Sequence, residues 1–412
     1  MSDRYPGGLI RKTPPTITPP VDGEGGSAPG IWTLEQASYY EGTGEWPKPV
    51  LPTSLYGFGL TTYGVLASNP TVLVSSPVQV TDKTDWKEIS GPVSTYTNFQ
   101  HVLAVTKTGE LYSWGRNSQG QLGDGTRINR SSPTQVGALT NWSSVNAGRE
   151  VSTAIKTDGT LWAWGDGGQG KLGDNTVIDK SSPIQIGART DWTKISGGSN
   201  FTLAIAGGEL YAWGVNTQGR LGLNIASTID KSSPTQVGAL TTWLNVAAGY
   251  YHGFGVKTDG TLWSWGRNAR GILGTNEVAP TTVRSSPVQV GALTNWLKGD
   301  TSYATATFIK TDGTMWSWGG SGYYNTGLGT TVQKSSPVQV GSDTWLEVGV
   351  SYLSMAAIRY DKTLWTCGSN QYGQTGQNVT VGNTQDLTQV GSETTWDKVF
   401  SGENFYIFTK KG

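Results

Sequence analysis

The chain has 412 residues, 30 of them basic and 30 acidic, so no net charge draws it to nucleic acid or to anionic lipid. Gly numbers 58 and Trp 18, while charged residues make up only 15% against a usual share of about 25%. The single Cys, Cys367, excludes a disulfide framework and a cysteine-based metal site, and no run approaches the roughly 18 apolar residues of a membrane span. The opening Met1–Pro6 lacks the apolar core of a signal peptide, so cytoplasmic synthesis without export and no membrane insertion are expected.

Residues 1–52 are a material apart, with nine of the eighteen Pro and two Trp, Trp32 and Trp46, outside any repeat. Arg11–Pro20 reads as extended, polyproline-like chain and Gly23–Gly30 as a joint. Thr33-Leu34-Glu35-Gln36 has capping-box spacing, and Gly42 ends the short helix this predicts near 34–41. Two turns cannot stand alone. With Ile31, Trp32, Leu34, Tyr39, Tyr40 and Trp46, the arm offers apolar surface either to the rest of the chain or to another protein on which it orders. Gly30–Gln36, Tyr39-Tyr40 and Trp46-Pro47 resemble a segment of structural proteins of marine tailed phages. That resemblance implies other virion proteins as partners of residues 1–52.

From residue 53 onward the chain repeats. Ser-Ser-Pro-x-Gln-Val/Ile recurs at Pro77, Pro133, Pro183, Pro234, Pro287 and Pro337, with a worn copy at Leu387–Val390. A Trp follows eight or nine residues later, at Trp86, Trp142, Trp192, Trp243, Trp296, Trp345 and Trp396. Then come a strand ending in Lys-Thr-Asp-Gly and a strand Leu-x-x-Trp-Gly, whose Trp slot holds Trp114, Trp164, Trp213, Trp265, Trp318 and finally Cys367. With Trp162, Trp263, Trp316 and Trp365, two residues before that last slot, sixteen of the eighteen Trp fall in repeat slots. A unit of about 50 residues, with β-branched and aromatic strands joined by Gly and Asn turns, is a propeller blade. It cannot bury its own faces and must pack against its neighbours.

The last copy ends at Phe405–Gly412 without its Leu-x-x-Trp-Gly strand. Leu55-Tyr56-Gly57-Phe58-Gly59 supplies that element, with Phe58 in the Trp slot. The expected fold is therefore all-β: a seven-bladed β-propeller over 53–412, closed by its N-terminal strand, with an extended N-terminal arm over 1–52. Closure would leave no free sheet edge.

Gly115–Gly123, reading Gly-Arg-Asn-Ser-Gln-Gly-Gln-Leu-Gly, and Ala154–Gly165 resemble the regulator-of-chromosome-condensation repeat. The resemblance covers about 53–412 and implies the same seven-bladed fold, and a function in binding: to a small GTPase and chromatin, to other proteins, or to β-lactamases as secreted inhibitors. The Ser-Ser-Pro-x-Gln-Val form is similar to bacterial and phage versions.

Apparent chemistry dissolves into the repeat. Gly165–Lys171 has the spacing of a phosphate-binding loop, but Leu172 stands where Ser or Thr would hold magnesium and no long helix follows. His101 and His252 share the slot of Val151, Phe201, Thr305, Ser354 and Phe405, which reads as semi-buried packing, and two His make no metal site. Asp158, Asp259 and Asp312 sit in hairpin turns, where Asp is expected for backbone reasons. Glu150 and Glu403 read as corresponding slots of different blades, short of the paired acids of a glycosidase. The Trp ladder reads as blade packing. No catalysis, metal or cofactor is expected.

Binding on a propeller belongs to what varies at a fixed place. After the Gly at Gly148, Gly198, Gly249 and Gly402, the slots read Phe99-Gln100, Arg149-Glu150, Ser199-Asn200, Tyr250-Tyr251, Tyr303-Ala304, Tyr352-Leu353 and Glu403-Asn404. Aromatic rings among polar neighbours suit protein hot spots or stacked sugars. Phe99, Arg149, Asn200, Tyr250, Tyr251, Tyr303, Tyr352 and Asn404 are the expected binding residues, and the Asn-rich turns and the insertion Asn224–Lys231 are expected on the opposite face. The reading that follows is a phage virion protein docked by its arm, in tail or capsid, whose propeller meets a host surface protein or glycan, with a homo-oligomer open. The alternative is a soluble bacterial regulator or inhibitor that binds one protein through the tyrosines. A lectin or carbohydrate-active protein comes third.

Overall fold

The computed structural model describes residues 52–66, 71–92, 100–277 and 282–411. The helix expected near 34–41 and the arm residues Ile31, Trp32, Leu34, Tyr39, Tyr40 and Trp46 lie outside the described residues, as does Phe99. The described chain is all-β: antiparallel strands form five four-stranded sheets and one seven-stranded sheet, with 3-10 turns at Gly168–Gly170, Thr217–Gly219 and Ala269–Gly271. These sheets are propeller-like blades.

The unit beginning at Trp142 shows the pattern. Its strands, Trp142–Ala147, Val151–Lys156, Leu161–Gly165 and Lys180–Gln185, lie side by side in chain order. The second strand is buried on both faces throughout, as a central blade strand must be. In its turn, Asp158 Oδ1 accepts from Thr160 N at 3.0 Å and Thr160 Oγ1 at 2.7 Å, and Thr160 Oγ1 in turn accepts the Trp162 indole N–H at 2.9 Å. The Lys-Thr-Asp-Gly aspartates are thus consumed by backbone geometry.

Ser-Ser-Pro forms the fourth, edge strand, where a residue without N–H costs no ladder bond. Its first Ser also ties two units together. The carbonyls of Ser181, Ser232, Ser285 and Ser335 each accept a backbone N–H from the turn of the preceding unit, at 2.6–2.8 Å.

The Leu-x-x-Trp-Gly tryptophans make the second tie. Trp164, Trp213, Trp265 and Trp318 are fully buried, and their indole N–H groups donate to Gln121 O, Lys171 O, Arg220 O and Ile272 O of the preceding unit at 2.8–3.1 Å. Each ring lies on a turn Gly. A Cβ at Gly173, where φ is +79°, would stand 2.7 Å from Trp213 Nε1. The Trp ladder is packing between units.

First strands of successive units form a third tie, a row of clasps. Ser90 Oγ accepts Ala147 N at 3.0 Å, Asn146 Oδ1 accepts Gly197 N at 2.6 Å and Ser196 Oγ accepts Ala248 N at 2.9 Å. The same slot holds Ala247, Gly349 and Phe400, which cannot accept. Asp300 covers the second gap: its Oδ2 takes both Val350 N and Ser401 Oγ at 2.8 Å.

The seven-stranded sheet has a one-residue cause. The next Trp lies six positions beyond the last apolar position of a Ser-Ser-Pro strand, as from Val136 to Trp142, but only five positions beyond it from Val340 to Trp345. The loop is pulled straight, and Lys334–Val350 runs as one strand, pairing with Thr314–Gly319 at its start and Ser354–Arg359 at its end.

Thr53–Thr62 lies between Thr71–Thr81 and the C-terminal strand Phe405–Lys411, in the order expected for a missing third strand. Phe58 is fully buried against Gly376, the same relation that Trp213 has to Gly173. Lys398 Nζ, in the unit these strands complete, donates to Lys87 O of the unit beginning at Trp86 at 3.1 Å.

Candidate functional site

Strand direction decides which loops share a face. The first strand runs up to Gly148–Glu150, the second runs down to the Lys-Thr-Asp-Gly turn, and the third returns to the Asn-rich turn. The variable slots and the Asn-rich turns are therefore on one face. Asp166 N, Val215 N, Arg267 N and Ser369 N, each opening an Asn-rich turn, donate to Glu150 O, Asn200 O, Tyr251 O and Leu353 O at 2.9–3.0 Å. This corrects the expectation that the Asn-rich turns and Asn224–Lys231 face the other way. An alternating ladder returns every second connection to the same end.

The structure brings four of the expected residues together. Tyr250 and Tyr251 ring centroids are 4.4 Å apart, Tyr250 and Tyr303 are 5.4 Å apart, and Tyr303 and Tyr352 are 5.4 Å apart, all edge to face. This favourable geometry makes a continuous aromatic tract across three successive units. Tyr251, Tyr303 and Tyr352 are half-buried, whereas Tyr250 is buried, so its ring supports the other three. Backbone bonds from Tyr250 N to Ser302 O and Tyr352 N to Glu403 O, both 3.3 Å, fix one loop to the next. Burial, then the neighbouring tyrosine, raises the Tyr251 and Tyr352 hydroxyls above their ordinary range.

Arginines that the sequence reading missed frame this tract. The Arg220 guanidinium lies 4.6 Å from the Tyr251 ring centroid and Arg267 lies 5.5 Å from it. Arg220 is 2% exposed, donates to Thr217 O at 2.8 Å and is pulled down to about 10 by burial. Exposed Arg270 acts on the Tyr352 hydroxyl. Arg220 occupies the turn slot of Gln121 and Lys171, and its departure from the repeat was the available signal.

The remaining expected residues lie apart from the tyrosines. Arg149 and Asn200 line a narrow cleft between the units beginning at Trp142 and Trp192. Asn404 is buried, and its carbonyl accepts Leu60 N at 3.0 Å, so it braces the N-terminal strand. Glu403 aligns with Arg149, not with Glu150, and is 2% exposed; burial pushes its carboxyl up to about 8, with Arg149 opposing. Glu150 pairs with Arg116 at 3.5 Å. The two acids are therefore held by different partners.

His101 and His252 are fully buried rather than semi-buried. His101 Nε2 is 3.0 Å from Ser152 Oγ and His252 Nε2 is 2.7 Å from Thr301 Oγ1. Burial, then Arg220, drops His252 to about 3. At Gly165–Lys171 the lysine pairs with Asp166 at 2.5 Å above a single 3-10 turn, which is a repeat turn and no phosphate cradle. Among the described residues no group of three His, Cys, Asp or Glu could hold a metal ion.

Comparison with known proteins agrees with this architecture. The regulator of chromosome condensation (RCC1) repeat matches residues 108–155, 158–205, 207–256 and 259–298, and a second RCC1 repeat description matches 93–121 and 243–272. The ultraviolet-B receptor UVR8 of Arabidopsis thaliana is 34% identical over 100 residues, 24% of this chain and 22% of that protein. The regulator of chromosome condensation of Xenopus laevis is 33% identical over 109 residues, 25% of this chain and 24% of that protein. The matched segment thus spans about a quarter of either relative. Among solved structures, Prp20p of Saccharomyces cerevisiae, described with its binding to Gsp1p and histones, superposes with TM-score 0.75 at 19% identity over 88% of this chain and 92% of that one. Human WBSCR16 gives 0.74 at 16% identity over 88% and 99%. At these identities the superpositions establish the fold alone.

Proposed function

We propose that this chain, whose repeats are those of the RCC1 family, is a seven-bladed propeller closed by the strand Thr53–Thr62 and works by binding a partner protein, without catalysis or cofactor. The observation that carries the reading is the tract Tyr250–Tyr251–Tyr303–Tyr352, contiguous on one face at positions where other units carry Ser, Asn or Arg. Packing of the units is already met by the two Trp slots, so the half-buried rings of Tyr251, Tyr303 and Tyr352 are surplus to the fold and have hot-spot composition. The binding of Gsp1p and histones described for Prp20p supports a protein as the partner.

The test is capture of partners from the source cell by the full chain and by a Tyr303→Ala/Tyr352→Ala variant of equal thermal stability. A stoichiometric partner lost with the tyrosines supports the reading. Partners retained by the variant, or none at all, refute it.

Docking of residues 1–52 onto a virion is a separate proposal that rests on the sequence of the arm alone. None of the relatives reported above is a virion protein, so the regulator or inhibitor reading takes precedence over the particle reading. Mass spectrometry of purified particles decides between them: copies in fixed ratio to the other structural proteins support docking, and absence refutes it.

A further inference from the structure

On the premise that this face binds a protein, we infer that the contacting segment of the partner is acidic, a run of Asp and Glu side chains laid along Tyr251, Tyr303 and Tyr352 between Arg220, Arg267 and Arg270. Elsewhere on this face two cations meet carboxylates: Arg116, of the unit beginning at Trp86, pairs with Glu150 at 3.5 Å, and Lys171, of the unit beginning at Trp142, pairs with Asp166 at 2.5 Å. Around the tyrosines the match fails. Among the described residues Arg220, Arg267 and Arg270 form no ion pair, although Arg220 and Arg267 stand beside the Tyr251 ring and the charge of Arg270 acts on Tyr352.

Two carboxylates act on the tract from within the chain, and together they do not balance its three arginines. Asp230, which acts on Arg220, is exposed and accepts Asn216 N at 2.8 Å. Glu403, beyond Tyr352, is buried and shifted towards its uncharged form. The sector therefore carries uncompensated positive charge.

Geometry adds to charge. A guanidinium stacked on a ring keeps its N–H edge free, and that fork matches a carboxylate with two parallel hydrogen bonds. Arg267, half-buried beside Tyr251, and exposed Arg270 offer such edges, and tyrosine hydroxyls beside them donate to the same oxygens, while buried Arg220, whose Nε and Nη1 donate to Thr217 O and Tyr250 O, contributes its charge. Arg220 is desolvated, which strengthens its attraction for an incoming anion. A cationic segment would meet three like charges here.

The test uses a fluorescein-labelled oligoglutamate peptide with the full chain, read by anisotropy, against an oligolysine of equal length and a single-stranded oligothymidine. The expected result is saturable oligoglutamate binding that weakens between about 50 and about 200 mM salt as screening shortens the reach of the arginines. It falls at least about tenfold in Arg267→Gln/Arg270→Gln, which removes two charge-assisted contacts at exposed or half-exposed positions. Oligolysine does not bind. No oligoglutamate binding, binding indifferent to the arginine replacement, equal binding of oligolysine, or tighter binding of oligothymidine each overturns the inference. Should the tyrosine-dependent partner be captured and still bind Arg267→Gln/Arg270→Gln in full, the acidic segment is wrong while the protein-binding role stands.

Discussion

Lys156 Nζ stands 3.6 Å from the ring centroid of Trp162 and 4.8 Å from that of Trp142, so one ammonium caps both outer faces of a blade's aromatic pair. Lys257 and Lys310 repeat the arrangement at 3.6 Å over Trp263 and Trp316, and Arg359 approaches Trp365 at 4.3 Å. In the register of the sheets Lys156 faces Trp142, while Ala206 faces Trp192 and Thr106 faces Trp86. In those two units the cation comes from elsewhere: Arg189 lies 5.1 Å over Tyr211 and Lys83 lies 5.2 Å over Tyr112, each three residues before the first-strand Trp. The blade keeps a cation on its aromatic pair and changes the residue that brings it.

Interchange of the two cation positions is the first prediction. Lys156→Met should cost about 1 kcal/mol, the usual worth of a partly desolvated cation over a ring. Arg189→Met should cost a similar amount, and adding Ala206→Lys to it should restore most of the loss. Denaturant midpoints of the three variants check this; failure of Ala206→Lys to rescue would show that Arg189 acts through Asp191 and Glu209, its ion partners at 2.8 and 3.0 Å.

Two glycines of similar backbone separate strain from space. Gly173 has φ +79° with the Trp213 indole where a Cβ would go, and Gly187 has φ +64° with nothing within 4 Å. Gly187→Ala should cost about 1–2 kcal/mol, the left-handed penalty alone. Gly173→Ala must also displace a buried Trp and should cost clearly more, by about 2 kcal/mol or above. Thermal melts of the pair give the difference directly.

His252 makes stability depend on acid. Its folded value of about 3 lies below the ordinary 6.5 because burial, then Arg220, opposes the charged ring. The unfolded chain therefore takes up a proton below 6.5 that the folded chain refuses, so the contribution is intact above that pH and is lost as pH falls towards 3. Between pH 7 and 5 the loss should reach about 2 kcal/mol. His252→Asn should flatten that part of the stability profile, whatever its effect at pH 7.

Asp300 replaces two clasps with one side chain. Asp300→Ala leaves Val350 N and Ser401 Oγ without their acceptor and should cost about 2–4 kcal/mol. Asp300→Asn keeps one acceptor oxygen and should cost less than half of that. An order in which Asn is as damaging as Ala would mean that the charge itself matters.

The arithmetic of the repeat made most of the fold legible. Trp slots at fixed spacing named the packing layers, and the missing Leu-x-x-Trp-Gly strand pointed to Leu55–Gly59. The interval from Pro337 to Trp345 was visible as one residue short, but its consequence, a straightened strand, needs the geometry of the joint. Tyr251, Tyr303 and Tyr352 were found because they vary where the slot is fixed. Tyr250 was placed with them although its ring is buried, since slot position says nothing of depth. The face of the Asn-rich turns was misjudged because loop sequences carry no direction; counting strands between loops does. Arg220 was hidden by lying in a turn slot where Gln and Lys are ordinary.

The straight run Lys334–Val350 has a consequence for how the molecule opens. Elsewhere a joint separates neighbouring sheets, so one can fray while the next keeps its amides protected. Here a single backbone belongs to both sheets, and peeling either one removes an edge from the other. The segments Trp296–Gly319 and Ser354–Gln389 should therefore open as one cooperative foldon, with amides that exchange with solvent together and at a common free energy.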